Sequence, residues 1–220
     1  MVDFNKNLPR PPVTKKYIIG LDLGQSRDYT ALIILETVHS PGTDAEDVYN
    51  VLNRERTRGT PYTEIVDRVK EIMAEQPHAS LVVDQTGVGA PVIDMFERAN
   101  LNPVGVMIHG GADESCEGGT WKVPKRNLAG VTQVLLQTRR LKIAPGPLRD
   151  ILINELLNFR VKIDPLTAHD SYSAWREQDH DDLVLAVALA AWWGEHIRKY
   201  EYTSTCAPVI LRGEATWNRF

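Results

Sequence analysis

Four acidic residues stand where a carboxylate is costly unless it has work to do. Asp22 lies inside the apolar run YIIGLDLG, Asp84 ends LVVD, and Asp181 and Asp182 open DDLVLAVALAAWW. Each has an ordinary explanation when taken singly. Asp22 and Asp84 can cap the turns that follow them. Asp181 and Asp182 can cap a helix and complement its dipole, effects of about 1–2 kcal/mol or less. Taken together they read differently. All sit at the ends of core elements, where apolar neighbours fix the backbone, and a buried carboxylate needs a partner, a metal or solvent. Rigidly held carboxylates from separate elements are what a divalent-cation site requires. Hard oxygen donors favour Mg²⁺ or Mn²⁺. No histidine pair or cysteine cluster competes for a zinc site, and His180 beside Asp181 reads as a polar surface residue.

Basic residues that could meet phosphate lie nearby in sequence. Arg27 follows the first acid, and Lys122, Lys125, Arg126, Arg139 and Arg140 lead into the later helices. Phosphate contacts come mainly from such side chains, although any one of them is more commonly a solvated surface charge. Lys122 and Lys125 are the favoured pair because they flank a glycine-containing loop and a helix start. Trp121 beside them could stack on a base or anchor the loop. Trp192 and Trp193 read as core.

These residues need elements to position them. Residues 1–16 carry Pro9, Pro11 and Pro12 and read as a Pro-rich leader or linker. The apolar runs 17–23 and 30–35 read as buried strands joined as a hairpin. Residues 47–57 form a more polar strand suited to a sheet edge. Thr60-Pro61 has the form of an N-cap with proline at the first helical position. Ile65, Val66, Val69, Ile72 and Met73 follow at helical spacing. A strand at 81–84, a helix from Pro91, a strand at 104–108 and a mobile glycine-rich loop at 109–120 come next. Helices over 125–138 and 148–160 bracket a short strand at 141–144. The last helix, from about 181 to 199, is apolar nearly all round and should be buried. The domain is therefore expected over 17–199, with a C-terminal tail at 200–220. The order describes an α/β fold, a mixed sheet flanked by helices.

Composition narrows the classes. The 220 residues are 43% hydrophobic and 25% charged, with 25 Lys+Arg against 29 Asp+Glu and a net charge of -4. Collagen-like, coiled-coil and wholly disordered chains are excluded. So is a protein coated all over with nucleic acid, though not a local basic groove. Cys116 and Cys206 fit no zinc or redox spacing. The first 16 residues lack a secretory h-region, and the run 183–193 is too short to span a bilayer. A cytoplasmic protein with no membrane partner is the expectation.

The strings YIIGLDLGQSRDYTALIILE, LVVDQTGVGAPVIDMF and QDHDDLVLAVALAAWW together resemble the nuclease domain of tailed-phage terminase large subunits. VPKRNLAGVTQVLLQTRRLKI and ILINELLNF fit that pattern too, and the resemblance covers roughly residues 17–198. It implies a ribonuclease H-like fold related to Holliday-junction resolvases. It implies a metal-dependent endonuclease that cuts concatemeric double-stranded DNA with two divalent metal ions. By position, Asp22, Asp84 and the Asp181/Asp182 pair carry over as ligands and catalytic groups, with the choice within the pair open. Asp22 is the implied bridging ligand, and Asp179, at i, i+3 from Asp182, an implied secondary one. Implied partners are a packaging ATPase domain or subunit, the small terminase and the portal, in the host cell cytoplasm. The pattern departs in one respect: there is no G-x-x-x-x-G-K-[ST] P-loop. Other readings stay open. IIGLDLG also resembles the phosphate-binding strand of actin-like ATPases, which ATP turnover without DNA would reveal. A resolvase-like junction nuclease would prefer four-way junctions. A non-catalytic assembly module would show no metal-dependent cleavage.

Overall fold

YIIGLD and TALIIL lack alternation because layers cover both faces of the strands they form, which demands apolar residues on both sides. The structure, a computed structural model, describes residues 12–24, 28–40, 45–88, 90–159 and 181–202. Strand β1 (Thr14–Asp22) pairs antiparallel with β2 (Tyr29–His39), the expected hairpin, and β2 with β3 (Val48–Arg58). Helix α1 (Tyr62–Glu75) carries the chain to β4 (Ser80–Asp84), which pairs parallel with β1. Helix α2 (Ala90–Arg98) leads to β5 (Val104–His109), parallel to β4. Strands β6 (Ser115–Glu117) and β7 (Thr120–Pro124) form a hairpin whose second strand joins β5. Helix α3 (Lys125–Gln137) then returns the chain to β8 (Leu141–Ile143) at the far side of the sheet. Helices α4 (Arg149–Asn158) and α5 (Asp182–Tyr202) complete the described elements. The eight strands run β6-β7-β5-β4-β1-β2-β3-β8.

Two apolar layers sandwich this mixed sheet. Ile18, Ile33, Val82 and Val106 pack beneath α5, whose residues Leu183–Trp193 are all buried. Ile19, Leu21, Leu81 and Val83 face the other way, against Ile65, Val69 and Ile72 of α1 and Phe96 of α2. The α5 layer approaches very closely at one point. A Cβ on Gly20 would lie 2.0 Å from the Ala186 carbonyl oxygen and 3.1 Å from the Ala190 Cβ. Only glycine at that position lets α5 rest directly on the central strand.

Three local expectations change. The N-cap is Pro61 rather than Thr60, so α1 starts at Tyr62, one residue later than expected, with no side-chain cap. β3 is not the outermost strand, because β8 pairs with Tyr49, Asn50 and Val51; the rest of β3 has a neighbour only in β2. The 109–120 stretch is not wholly loop. Gly118 and Gly119 take positive φ values of 56° and 83° and close the two-residue turn of the β6–β7 hairpin, a conformation that suits the twist of the flanking strands. Among the described residues no helix is long and apolar enough to cross a membrane.

Candidate functional site

The sheet register gathers the acids. Asp22 and Asp84 are directly paired across the parallel strands β1 and β4. The row continues from Asp22 to Ala31 on β2 and Arg56 on β3, and from Asp84 to Val106 on β5 and Trp121 on β7. Residues in one row share a face, and Ala31, Val106 and Trp121 place this face under α5. Asp22 is 6% and Asp84 3% exposed. Two buried carboxylates on strands about 4.8 Å apart repel unless a cation or proton lies between them. Small Ala31 separates them from the long Arg56 side chain.

Helix α5 supplies the third acid. Asp182, Ala186 and Ala190 recur every four residues and so lie on one stripe of the helix. Ala186 and Ala190 rest on Gly20, two residues before Asp22 on the same face. Gly194 lies against Ile18, so the helix runs back along β1 and its start points toward the Asp22 end. One turn from Ala186 to Asp182 and two residues from Gly20 to Asp22 each cover about 6 Å. The Gly20 contact thus delivers Asp182 to the end of the sheet that carries Asp22. Asp182 is buried, while Asp181 is half-buried just before the helix and its carbonyl accepts the Leu185 N–H at 3.0 Å. Of the pair, the structure brings Asp182 to the sheet.

Each acid is held differently. Asp84 Oδ1 accepts the Thr86 N–H at 2.8 Å, so the turn-capping role is realised for one oxygen. Thr86 Oγ1 in turn accepts the Ile108 N–H at 2.7 Å, locking that turn to β5. The turn after Asp22 is tied by the Gly24 N–H to Thr30 Oγ1 at 3.1 Å and by Tyr62 Oη–H to the Gly24 carbonyl at 3.2 Å. Asp182 Oδ2 accepts from Arg56 Nη2 at 2.8 Å.

Sequence reasoning missed two residues here. Arg56 Nη1 also lies 3.6 Å from Glu155 Oε1, and its guanidinium carbon sits 3.9 Å from the centre of the Tyr29 ring. Glu155, from α4, accepts the Val184 N–H at 3.0 Å and so caps the start of α5 from outside the helix. Burial pushes its carboxyl up to about 7, with Asp182 adding to the rise and the Val184 N–H and Arg56 opposing it. Glu155 did carry a signal, since it falls on the apolar side of a helix between Leu152 and Leu156. Arg56 carried none, because its partners depend on the strand register.

The remaining candidates are dispersed. Arg27 and Asp179 lie outside the described residues. Lys122 falls one residue off the row of Trp121, on the opposite face of β7, and its Nζ is 2.6 Å from Glu117 Oε2. Lys125 is buried and Arg126 exposed at the start of α3. β7 runs parallel to β1, β4 and β5, so these two lie past the same carboxyl ends as Asp22 and Asp84. Trp121 is the anchor of the alternative reading. It packs edge-on against Trp192, Trp193 and His196, with ring centroids 4.4–6.3 Å apart. Among the described residues, no three His, Cys, Asp or Glu side chains cluster closely enough to enclose an ion unaided. The donor chemistry nevertheless fits a hard divalent cation, with Asp22 and Asp84 buried side by side and Asp182 on the same face.

Comparison with known proteins agrees with this architecture. A curated relative, the terminase large subunit of Thermus virus P23-45, is 23% identical over 174 residues, covering 79% of this chain and 31% of that protein. The chain therefore spans about a third of the length of that relative. Among solved structures, the large terminase nuclease from thermophilic phage G20c with bound magnesium superposes with a TM-score of 0.56. It is 22% identical, over 80% of each chain. The large terminase of another thermophilic bacteriophage matches with a TM-score of 0.53 at 11% identity, over 87% of this chain and 41% of that one. These likenesses bear out the ribonuclease H-like mixed sheet. The model of the terminase RNaseH-like domain matches residues 19–191, the stretch that holds Asp22, Asp84 and Asp182, and the chain belongs to that family.

Proposed function

We propose that this chain is the nuclease domain of a phage terminase large subunit, a metal-dependent endonuclease that cuts double-stranded DNA during genome packaging. The observation that carries this is the in-register Asp22–Asp84 pair, with Asp182 brought to the same face by α5. Asp22, Asp84 and Asp182 are the proposed ligands of Mg²⁺ or Mn²⁺. Asp181 and Asp179 are secondary candidates. Bound, such ions neutralise the scissile phosphate, activate water and stabilise the leaving oxygen. The G20c nuclease, solved with magnesium, cobalt and zinc, supports a divalent site.

The chain's own residues orient the rest. Thr86 fixes the Asp84 carboxylate through its N–H. Arg126, and Lys125 beside it, supply positive charge past the ends of the strands for DNA phosphates. Arg27 is proposed to do the same, and Lys122 is a weaker candidate because it is paired on the opposite face. No base-reading motif is present, so cleavage has little sequence preference. Packaging partners are an ATPase domain or subunit, the small terminase and the portal, within the host cytoplasm.

Plasmid nicking tests this reading. The expected result is cleavage with Mn²⁺ or Mg²⁺, without ATP, that stops in chelator. Asp22→Asn should reduce it by at least about 100-fold, the scale of removing one preorganised charged or dipolar group from an active centre. In chelator the variant should melt no lower than wild type, because removing one carboxylate relieves repulsion with Asp84. Chelator-resistant cleavage, or an Asp22→Asn protein that still nicks, would overturn the proposal. DNA binding should also weaken steeply with salt as phosphate contacts exchange with counterions.

A further inference from the structure

Arg56 stands in an unusual position for a cation. It belongs to the same row of the sheet as Asp22 and Asp84, yet Ala31 separates it from them. Its side chain is 10% exposed and pinned on three sides: Tyr29 lies against the guanidinium, Asp182 takes Nη2, and Glu155 lies beside Nη1. Arg56 Nε and Glu155 Oε1 are buried without a hydrogen-bond partner among the described residues.

We propose that Arg56 is a positioning residue of the metal site, its guanidinium spanning Asp182 and Glu155 so that the Asp182 carboxylate is fixed on the face carrying Asp22 and Asp84. The inference rests on the reading of these acids as cation ligands. A carboxylate has two oxygens and about four acceptor sites, so an arginine on Oδ2 orients Asp182 without using up its capacity to bind a cation. Residues that hydrogen-bond a ligating carboxylate set its orientation, and their loss typically weakens metal binding about 10–100-fold. The planar fork explains the residue type. Its two Nη atoms meet two carboxylates from different helices, whereas a lysine ammonium acts as a single point charge. Glu155 completes the device by tying the same cation to the N–H of Val184, two residues along from Asp182.

The test is a Mn²⁺ titration of the melting temperature of the full 220-residue chain, starting from chelator, on wild type, Arg56→Ala, Arg56→Lys and Asp22→Asn. The position of the Mn²⁺-induced rise along the concentration axis reports apparent affinity independently of cleavage, because stabilisation grows as RT ln(1 + [L]/Kd). For Arg56→Ala it should move to about 10–100-fold higher Mn²⁺. Nicking should show the same displacement in its Mn²⁺ dependence and recover toward wild type at saturating metal. Arg56→Lys should fall between the two and decides the matter if Arg56→Ala does not fold. An unchanged position of that rise in the folded variants overturns the proposal. So does a shift to lower Mn²⁺, which would make Arg56 a competitor for the metal rather than its organiser. The underlying reading fails separately: wild type would then show no Mn²⁺-induced rise, or Asp22→Asn the same rise as wild type, and the role of Arg56 would fall with it.

Discussion

Helix α5 is pinned to the sheet by an arginine near each end, and the two pins differ in kind. At the far end, Arg140 Nε–H donates to the Asp47 carbonyl at 2.7 Å and its Nη groups hold Glu195, which also accepts from Tyr49 Oη–H. Burial pushes Glu195 up, but the bonds from Arg140 and Tyr49 outweigh it and hold the carboxyl below its ordinary value. The same burial and the bond to Glu195 raise the Tyr49 hydroxyl far above its ordinary value. At the near end, Arg56 and Glu155 keep unmet polar atoms, and the Glu155 carboxyl is raised rather than lowered. The same ingredients yield a closed ion pair in one place and an incomplete one in the other. The incomplete one adjoins the acids. Polar groups left unsatisfied in a native interior call for an explanation, and the proposed positioning role of Arg56 supplies one.

The largest expected effect tests the closed end. Arg140→Ala strands Glu195 in a partly buried position and should lower unfolding free energy in urea by about 3–4 kcal/mol. Nicking per folded molecule should stay at the wild-type rate. If cleavage collapses while the fold survives, the far end is no mere fastener and the contrast is lost.

Gly20→Ala acts between the ends. Its methyl would meet the Ala186 carbonyl at 2.0 Å, a backbone atom that cannot swing aside. A cost of about 2–3 kcal/mol is expected, as for overpacking elsewhere. Because α5 must shift away from β1, the Mn²⁺-induced rise in melting temperature should shrink as well. Loss of stability with an undiminished metal response would break the link between this contact and the placement of Asp182.

The smallest effect separates the ends by pH, in chelator. Glu155 is raised from 4.5 to about 7 in the fold. Its contribution to stability is therefore full below about pH 4.5 and is lost as pH rises through about 7. Glu155→Gln removes that dependence, so the variant should gain on wild type by about 1–2 kcal/mol between about pH 5 and pH 8. Glu195 is lowered, and its contribution is present above 4.5 and lost as pH falls below it. Glu195→Gln should accordingly flatten the acid limb instead. Parallel pH profiles for the two variants would erase the distinction.

How much of this the sequence reveals depends on whether a residue's neighbours are local. Asp22, Asp84 and Asp182 are legible because each interrupts or ends an apolar run, and a charge there has few explanations. The hairpin of β1 and β2 and the helical spacing of α1 are legible for the same reason. Arg56 sits among polar neighbours in NRERT, and only the pairing of β1, β2 and β3 shows that it shares a row with the acids. Glu155 could be suspected from its place on an apolar helix face, but not its role as a cap for α5. The β6–β7 hairpin was hidden because glycines that close a tight turn have the composition of a flexible loop. Lys122 failed to join the acids for a reason of parity: a shift of one residue along a strand moves a side chain to the other face.

The placement of Asp182 on the last described helix has a consequence in time. β1 pairs with β2 and β2 with β3, and β4 brings Asp84 beside Asp22 when little more than the first third of the 220 residues has emerged from a ribosome. At about 5–20 residues per second, the roughly 100 residues between Asp84 and Asp182 take about 5–20 s more to synthesise. During that interval a nascent chain can hold two of the three proposed ligands but not the third. On the proposed reading, cutting competence would thus arrive only when α5 settles onto Gly20, and a product ending before residue 182 would lack both the third ligand and the layer that covers this face of the sheet.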